Sequence, residues 1–190
     1  MQIEKYIEDS INVKKLILDD KRLLDKIKDV SDVIVRAYSK GNKVLTAGNG
    51  GSAADAQHIV GELVSKFNFD RPPLAALELN TNSPLLTAIS NDYGYEESFA
   101  RQIRANGKKG DVFIAISTSG HSANIIKAVE TANELGIITV GLIGNHITVL
   151  DETCNYLLKV PSVHTSQIQE SQIMIGHIIC ALVEEQIFSR

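Results

Sequence analysis

Two stretches of this chain follow one plan: an apolar, β-branched run, a short loop of glycine and serine, and then a helix start. Residues 43–52 read KVLTAGNGGS, and residues 111–122 read DVFIAISTSGHS. Strands that alternate with helices in this way imply a parallel sheet covered by helices on both faces. Glycine lets the backbone pass close to a ligand, hydroxyls donate to phosphate oxygens, and a helix N-terminus carries partial positive charge. Ser117, Thr118, Ser119 and Ser122 offer four hydroxyls within six residues, with no lysine among them. That set suits a phosphate monoester on a small metabolite better than a long polyanion.

The rest of the chain extends the pattern. Residues 2 to about 39 read as helix with a break near Leu18 to Asp20, and Gly41-Asn42 stops the run. Strands are predicted over Val44–Ala47, Leu74–Leu79, Val112–Ile116, Ile138–Ile143 and Tyr156–Val160. Helices are predicted over Ser52–Phe67, Tyr95–Ala105, Ser122–Leu135 and Thr165–Ile187, while Leu85–Ile89 fits either state. The expected fold class is therefore α/β, a three-layer sandwich with N-terminal helices. At 190 residues one domain is expected, a helical region over 1–40 leading into an α/β core over 41–190. The Ser/Gly loops follow strand ends, where open α/β sheets place their ligands. The last helix is apolar on more than one side (Ile173, Ile175, Ile178, Ile179, Leu182, Val183), which points to an oligomer interface or deep burial.

Charge and cysteine use narrow the partners. A net charge of -4 argues against nucleic acid or an anionic membrane as the main partner. Cys154 and Cys180 lie in apolar surroundings without metal or redox spacing and read as buried thiols of a reducing compartment. The charged, amphipathic N-terminus does not read as a signal peptide, and no apolar stretch reaches membrane-spanning length. A cytoplasmic protein is expected.

Two phosphate-loop readings fail on inspection. Residues 48–53 (GNGGSA) match the dinucleotide fingerprint, but no acidic residue ends a strand about 20 residues on, as ribose binding requires. A nucleoside-triphosphate loop would need a lysine after the glycine turn, and neither loop has one.

The residues suited to chemistry lie elsewhere. His58 and Glu62 are four apart, on one face of the first core helix and close to the proposed phosphate pocket. Gln169 and His177 are eight apart on one face of the last helix. Imidazole, carboxylate and amide oxygen together can hold zinc or another divalent ion. The plainer alternatives are a solvated His/Glu pair for the first couple and a satisfied core histidine for His177. By type, Asn91-Asp92 before Tyr93-Gly94 is a turn signal, and His121, His146 and His164 read as loop histidines.

Taken together, these residues resemble a known family. The Ser117–Ser122 loop is similar to the phosphate loop of the sugar-isomerase (SIS) family. The glycine loop, with Asp55, His58 and Glu62, resembles the phosphoheptose isomerase branch of it. Arg71-Pro-Pro, Asn80-Thr, residues 88–94 (AISNDYG) and Ile168-Gln-Glu170 with His177 downstream extend the likeness over nearly the whole chain. The resemblance implies a flavodoxin-like sandwich and a homotetramer with sites between subunits. It implies zinc held by His58, Glu62, Gln169 and His177. Substrate contacts would come from Asn49, Gly50, Gly51, Ser52, Glu62, Asn91, Asp92, Ser117, Thr118, Ser119, Ser122 and Gln169.

The implied reaction converts sedoheptulose 7-phosphate to D-glycero-D-manno-heptose 7-phosphate, towards nucleotide-activated heptoses. Moving a proton between adjacent carbons through an enediol needs an acid and a base, and Glu62 and His177 are the candidates. The chain departs from the family pattern at Gln172, Gln167 and Ala53, where relatives often carry histidine, arginine and histidine. A related tetrameric protein that binds a replication initiator lacks the acid/base side chains that stand here at 62 and 177. Relatives acting on pentose or hexose phosphates lack the His58/Glu62 and Gln169/His177 set.

Overall fold

A computed structural model of the chain describes residues 2–188. The N-terminal helical run is two helices, α1 (Gln2–Asp19) and α2 (Lys21–Ser39). Asp20 makes the break: its carboxylate accepts from Arg22 N and Leu23 N and caps α2. Leu23, Ile27, Val30, Ile34 and Ala37 recur at helical spacing and form the buried face of α2.

The core then runs β1 (Val44–Gly48), α3 (Gly51–Val64), β2 (Ala76–Glu78) and α4 (Ser83–Tyr93). A single 3-10 turn (Tyr95–Glu97) leads into α5 (Ala100–Asn106) and β3 (Val112–Ser117). Next come α6 (Ala123–Glu134), β4 (Ile138–Ile143), α7 (Leu150–Thr153), β5 (Tyr156–Lys159) and α8 (Thr165–Phe188). The predicted α/β class is the observed one.

Several details differ from the sequence reading. Leu85–Ile89 is helical, because the Asn82 side chain accepts from Leu85 N and Pro84 sits in the first turn. Asn91-Asp92 is no turn but the last turn of α4; the chain turns at Gly94, whose φ is 94°. The expected helix over Tyr95–Ala105 is interrupted around Phe99. Only Ala76–Glu78 of the second predicted strand pairs, as the sheet's edge. The one-turn α7 was not anticipated, and Cys154 is half-buried rather than buried.

All five strands run parallel in the order β2-β1-β3-β4-β5. The alternation of a strand sorts the two layers by parity. Val44, Val112, Ile114, Ile116, Val140, Leu142 and Leu158 face a core completed by α1, α2, α3 and α8. Leu45, Ala47, Phe113, Ala115 and Ile143 face a second core with Phe99, α5 and α6. Burial on both faces explains the uninterrupted apolar runs. Strand order reverses between β1 and β3, since the chain leaves β1 for β2 on one side and returns as β3 on the other. The glycine and serine loops emerge at that switch point, at the carboxyl ends of β1 and β3, where open α/β sheets place their ligands. Among the described residues, no helix is long and apolar enough to cross a membrane.

Candidate active site

The titratable cluster is built by two helices far apart in the chain, α3 and α8. α3 starts at the glycine loop and presents His58 and Glu62 one turn apart, with His58 Nε2 3.1 Å from Glu62 Oε1. α8 packs against α3 closely enough to bring His177 Nε2 within 3.4 Å of His58 Nε2. Gly176 permits this approach, because a side chain there would press into Ile59 of α3. The two imidazole rings meet edge-on, centroids 4.8 Å apart, and Phe67 lies 5.6 Å from the His177 ring. His177 is thus half-buried and facing a partner, neither sealed in the core nor loose in solvent.

An ion-paired lock fixes the far end of the same two helices. Arg71 donates to the carbonyls of Glu62 (2.7 Å) and Leu63 (2.7 Å), closing the end of α3, and its Nε donates to Glu184 of α8 at 2.9 Å. Glu184 also accepts from Phe67 N at 2.8 Å and Asn68 N at 2.6 Å. Both side chains are sealed from water, at 2% and 0% exposure. Burial works against the charged carboxyl, but the amides of Phe67 and Asn68 and the Arg71 guanidinium together hold it below the usual carboxylate range. The sequence reading picked out Arg71 by resemblance and missed Glu184, which the sequence shows only as the first of two adjacent glutamates near the end of an apolar helix.

The donor set fits a divalent cation. One ligand atom each from His58, Glu62 and His177 lies within 4.8 Å of the others, and two imidazoles with a carboxylate are zinc-type donors. Gln169 is placed differently: its carboxamide covers Gly51, where any Cβ would collide with it. Asp55, one turn before His58, has a buried Oδ2 with no hydrogen-bond partner. Burial pushes its carboxyl up to about 6, against the opposing pull of His58. Cys154 and Cys180 carry no comparable chemistry, since burial pushes both thiols up to about 12.

The serine loop is ordered by its own hydroxyls. Ser117 Oγ accepts from Gly120 N at 3.1 Å and lies 3.4 Å from Ser122 Oγ, while Ser119 Oγ accepts from His121 N at 3.2 Å. Ser122 stands at the N-cap of α6 without capping it, so its hydroxyl stays in the loop. The carbonyl of Thr118 accepts from Gly144 N at 3.0 Å, and Gln172 donates to Ser117 O and Leu142 O, which ties the loop to β4.

The glycine loop stands beside it. Asn49 is half-buried, Gly50 and Gly51 are exposed, and Ser52 is buried in the first turn of α3. Asn91 and Asp92 are exposed on α4 and hydrogen-bonded to each other at 2.9 Å rather than to the loops.

Known proteins can now be set beside this geometry. A family model for the SIS domain matches residues 5–144, which places the chain in the class of SIS-domain proteins. The chain is 59% identical to phosphoheptose isomerase of Aneurinibacillus thermoaerophilus over 98% of its own length and 94% of that protein's. It is 56% identical to phosphoheptose isomerase 2 of Campylobacter jejuni, over 99% and 94%. The solved structure of a phosphoheptose isomerase from Francisella tularensis superposes with a TM-score of 0.93 at 35% identity, covering 97% of each chain. The chain belongs to the phosphoheptose isomerase family of SIS-domain proteins.

Proposed function

We propose that this chain isomerises sedoheptulose 7-phosphate to D-glycero-D-manno-heptose 7-phosphate. The observation that carries the reading is the His58–Glu62–His177 cluster, two members on α3, the helix that opens at the glycine loop, and the third on α8. The reaction takes a proton from C1 of the ketose, passes through an enediol and returns a proton to C2. It needs one group to accept and one to donate, each worth about 10²–10⁴-fold. Glu62 and His177 are assigned these roles. Ser117, Thr118, Ser119 and Ser122 hold the phosphate, which lies several carbons from the reacting pair and so orients the sugar without reacting. Asn49, Gly50, Gly51, Ser52, Asn91, Asp92 and Gln169 are assigned to the remaining substrate contacts.

His58, Glu62, Gln169 and His177 would hold one divalent cation, and the imidazole-carboxylate set favours zinc. When bound, such an ion polarises a carbonyl oxygen as a Lewis acid. Glu62 stands in both sets, and a carboxylate engaged by a cation is a weaker base. Comparing Glu62→Gln with His177→Asn in turnover and in exchange of the C1 proton with solvent divides the two roles. Loss of exchange in one variant alone identifies the base.

The assembly is assigned as a cytoplasmic homotetramer. In support, α1 carries Ile3, Tyr6, Ile7 and Ile11 exposed at helical spacing. Sedimentation of the purified protein tests it, and a monomer at micromolar concentration overturns it.

A further inference from the structure

Asn49 is held by residues that the site assignment does not include. Its Oδ1 accepts from Asn124 Nδ2 at 3.0 Å and from the Tyr95 hydroxyl at 2.8 Å. Its Nδ2 donates to Asn124 Oδ1 at 2.9 Å. The two carboxamides form a closed reciprocal pair, and Tyr95 fills the second lone pair of Asn49 Oδ1. A carboxamide has two acceptor sites and two N–H donors. Three of the four are used inside the protein, which leaves Asn49 a single N–H.

Asn124 is itself almost fully buried, in the first turn of α6 directly after the serine loop. Its second N–H reaches Ser98 Oγ at 3.4 Å. The pair therefore spans the switch point and joins the loop after β1 to the helix that follows the loop after β3. Tyr95 adds the segment just beyond Asn91 and Asp92, the three-residue turn after α4.

We propose that Asn124 and Tyr95 are positioning residues: they fix the rotation of the Asn49 carboxamide so that its remaining N–H is presented to a substrate oxygen. This rests on the assignment of Asn49 as a substrate contact. Neither residue touches substrate; each acts only through Asn49. Tyr95 is the cleaner probe, because its ring is exposed and loss of its hydroxyl removes one hydrogen bond without opening a cavity.

The test is a double-mutant cycle on sedoheptulose 7-phosphate turnover with Tyr95→Phe, Asn49→Ala and the pair, beside wild type. Loss of one such hydrogen bond is expected to raise KM by about two- to tenfold in Tyr95→Phe, with kcat within twofold and Tm unchanged. In the Asn49→Ala background the same change is expected to add nothing, since the group being positioned is gone. Asn124→Leu is expected to raise KM further, and Asn124→Gln to fail to rescue it, because the longer side chain moves the amide. If Tyr95→Phe leaves KM unchanged, or acts equally with and without Asn49, the positioning role is overturned while the isomerase assignment stands. If wild-type protein shows no turnover, the substrate assignment falls and takes this inference with it.

Discussion

The Nε2 atoms of His58 and His177 lie 3.4 Å apart, although 119 positions separate the two residues in the chain. Two such nitrogens, with Glu62 Oε1 3.1 Å from the first, converge on one point. Either one imidazole donates to the other, or both lone pairs meet a cation. The fold spends two helices on this convergence: a glycine allows the approach at His177, and a buried ion pair fixes it at the far end. A histidine that served only packing would not need a partner delivered from so distant a helix.

A divalent cation should stabilise the protein through this point. Added zinc is expected to raise Tm, since a ligand at 100 times its Kd contributes about 2.7 kcal/mol. His58→Ala should abolish the shift while leaving the fold intact. Differential scanning fluorimetry with metal-stripped protein reads both. An equal shift in the variant would place the cation elsewhere.

Breaking the Arg71–Glu184 lock should cost stability first and activity second. Removing one partner of a buried ion pair costs about 3–5 kcal/mol, here a fall in Tm of roughly 6–20 °C for Glu184→Gln. A surface pair such as Lys28–Asp32 should cost far less, because solvent screens the two charges. Thermal melts of Glu184→Gln and Asp32→Asn decide between them, and equal losses would contradict the lock.

The same carboxyl gives a pH dependence with a definite sign. Glu184 binds its proton less readily folded than unfolded, so stability rises with pH wherever only the unfolded chain is protonated. Its contribution is complete above the ordinary glutamate range, near about pH 4.3, and is lost as pH falls through the lower folded value. Melts from pH 7 down to pH 3 should show a steeper decline for wild type than for Glu184→Gln. Parallel curves would contradict the assignment.

Gly51→Ala tests the contact between the glycine loop and α8. The added methyl would occupy the space of the Gln169 carboxamide, so Gln169 must move away from the loop. Turnover should fall at least tenfold, about 1.4 kcal/mol, with a Tm change of a few degrees at most. Tm loss without turnover loss would make the contact purely structural.

Much of this was legible in the sequence, for physical reasons that differ by element. β1, β3 and β4 announce themselves because strands covered on both faces must be apolar throughout. The two ligand loops are legible because tight turns into helices need glycine and hydroxyl residues. Leu85–Ile89 was not, since so short a mostly apolar run fits a strand or a helix, and the deciding contact is a cap at Asn82. Asn91-Asp92 looked like a turn because polar pairs before glycine are usually turns; here the helix runs on to Gly94. His58 and Glu62 could be paired by spacing alone, but no local pattern joins them to His177. Asn124 and Glu184 were missed for the same reason: their partners, Asn49 and Arg71, lie 75 and 113 residues away.

The most direct measurement is turnover of sedoheptulose 7-phosphate by the purified protein, before and after chelation, with Glu62→Gln alongside. The expected result is turnover in wild type, loss on chelation with recovery on adding zinc, and a fall of at least about 10²-fold in folded Glu62→Gln. A folded, metal-loaded wild type with no turnover, or a Glu62→Gln variant as active as wild type, would contradict the assignment of this cluster as the isomerase site.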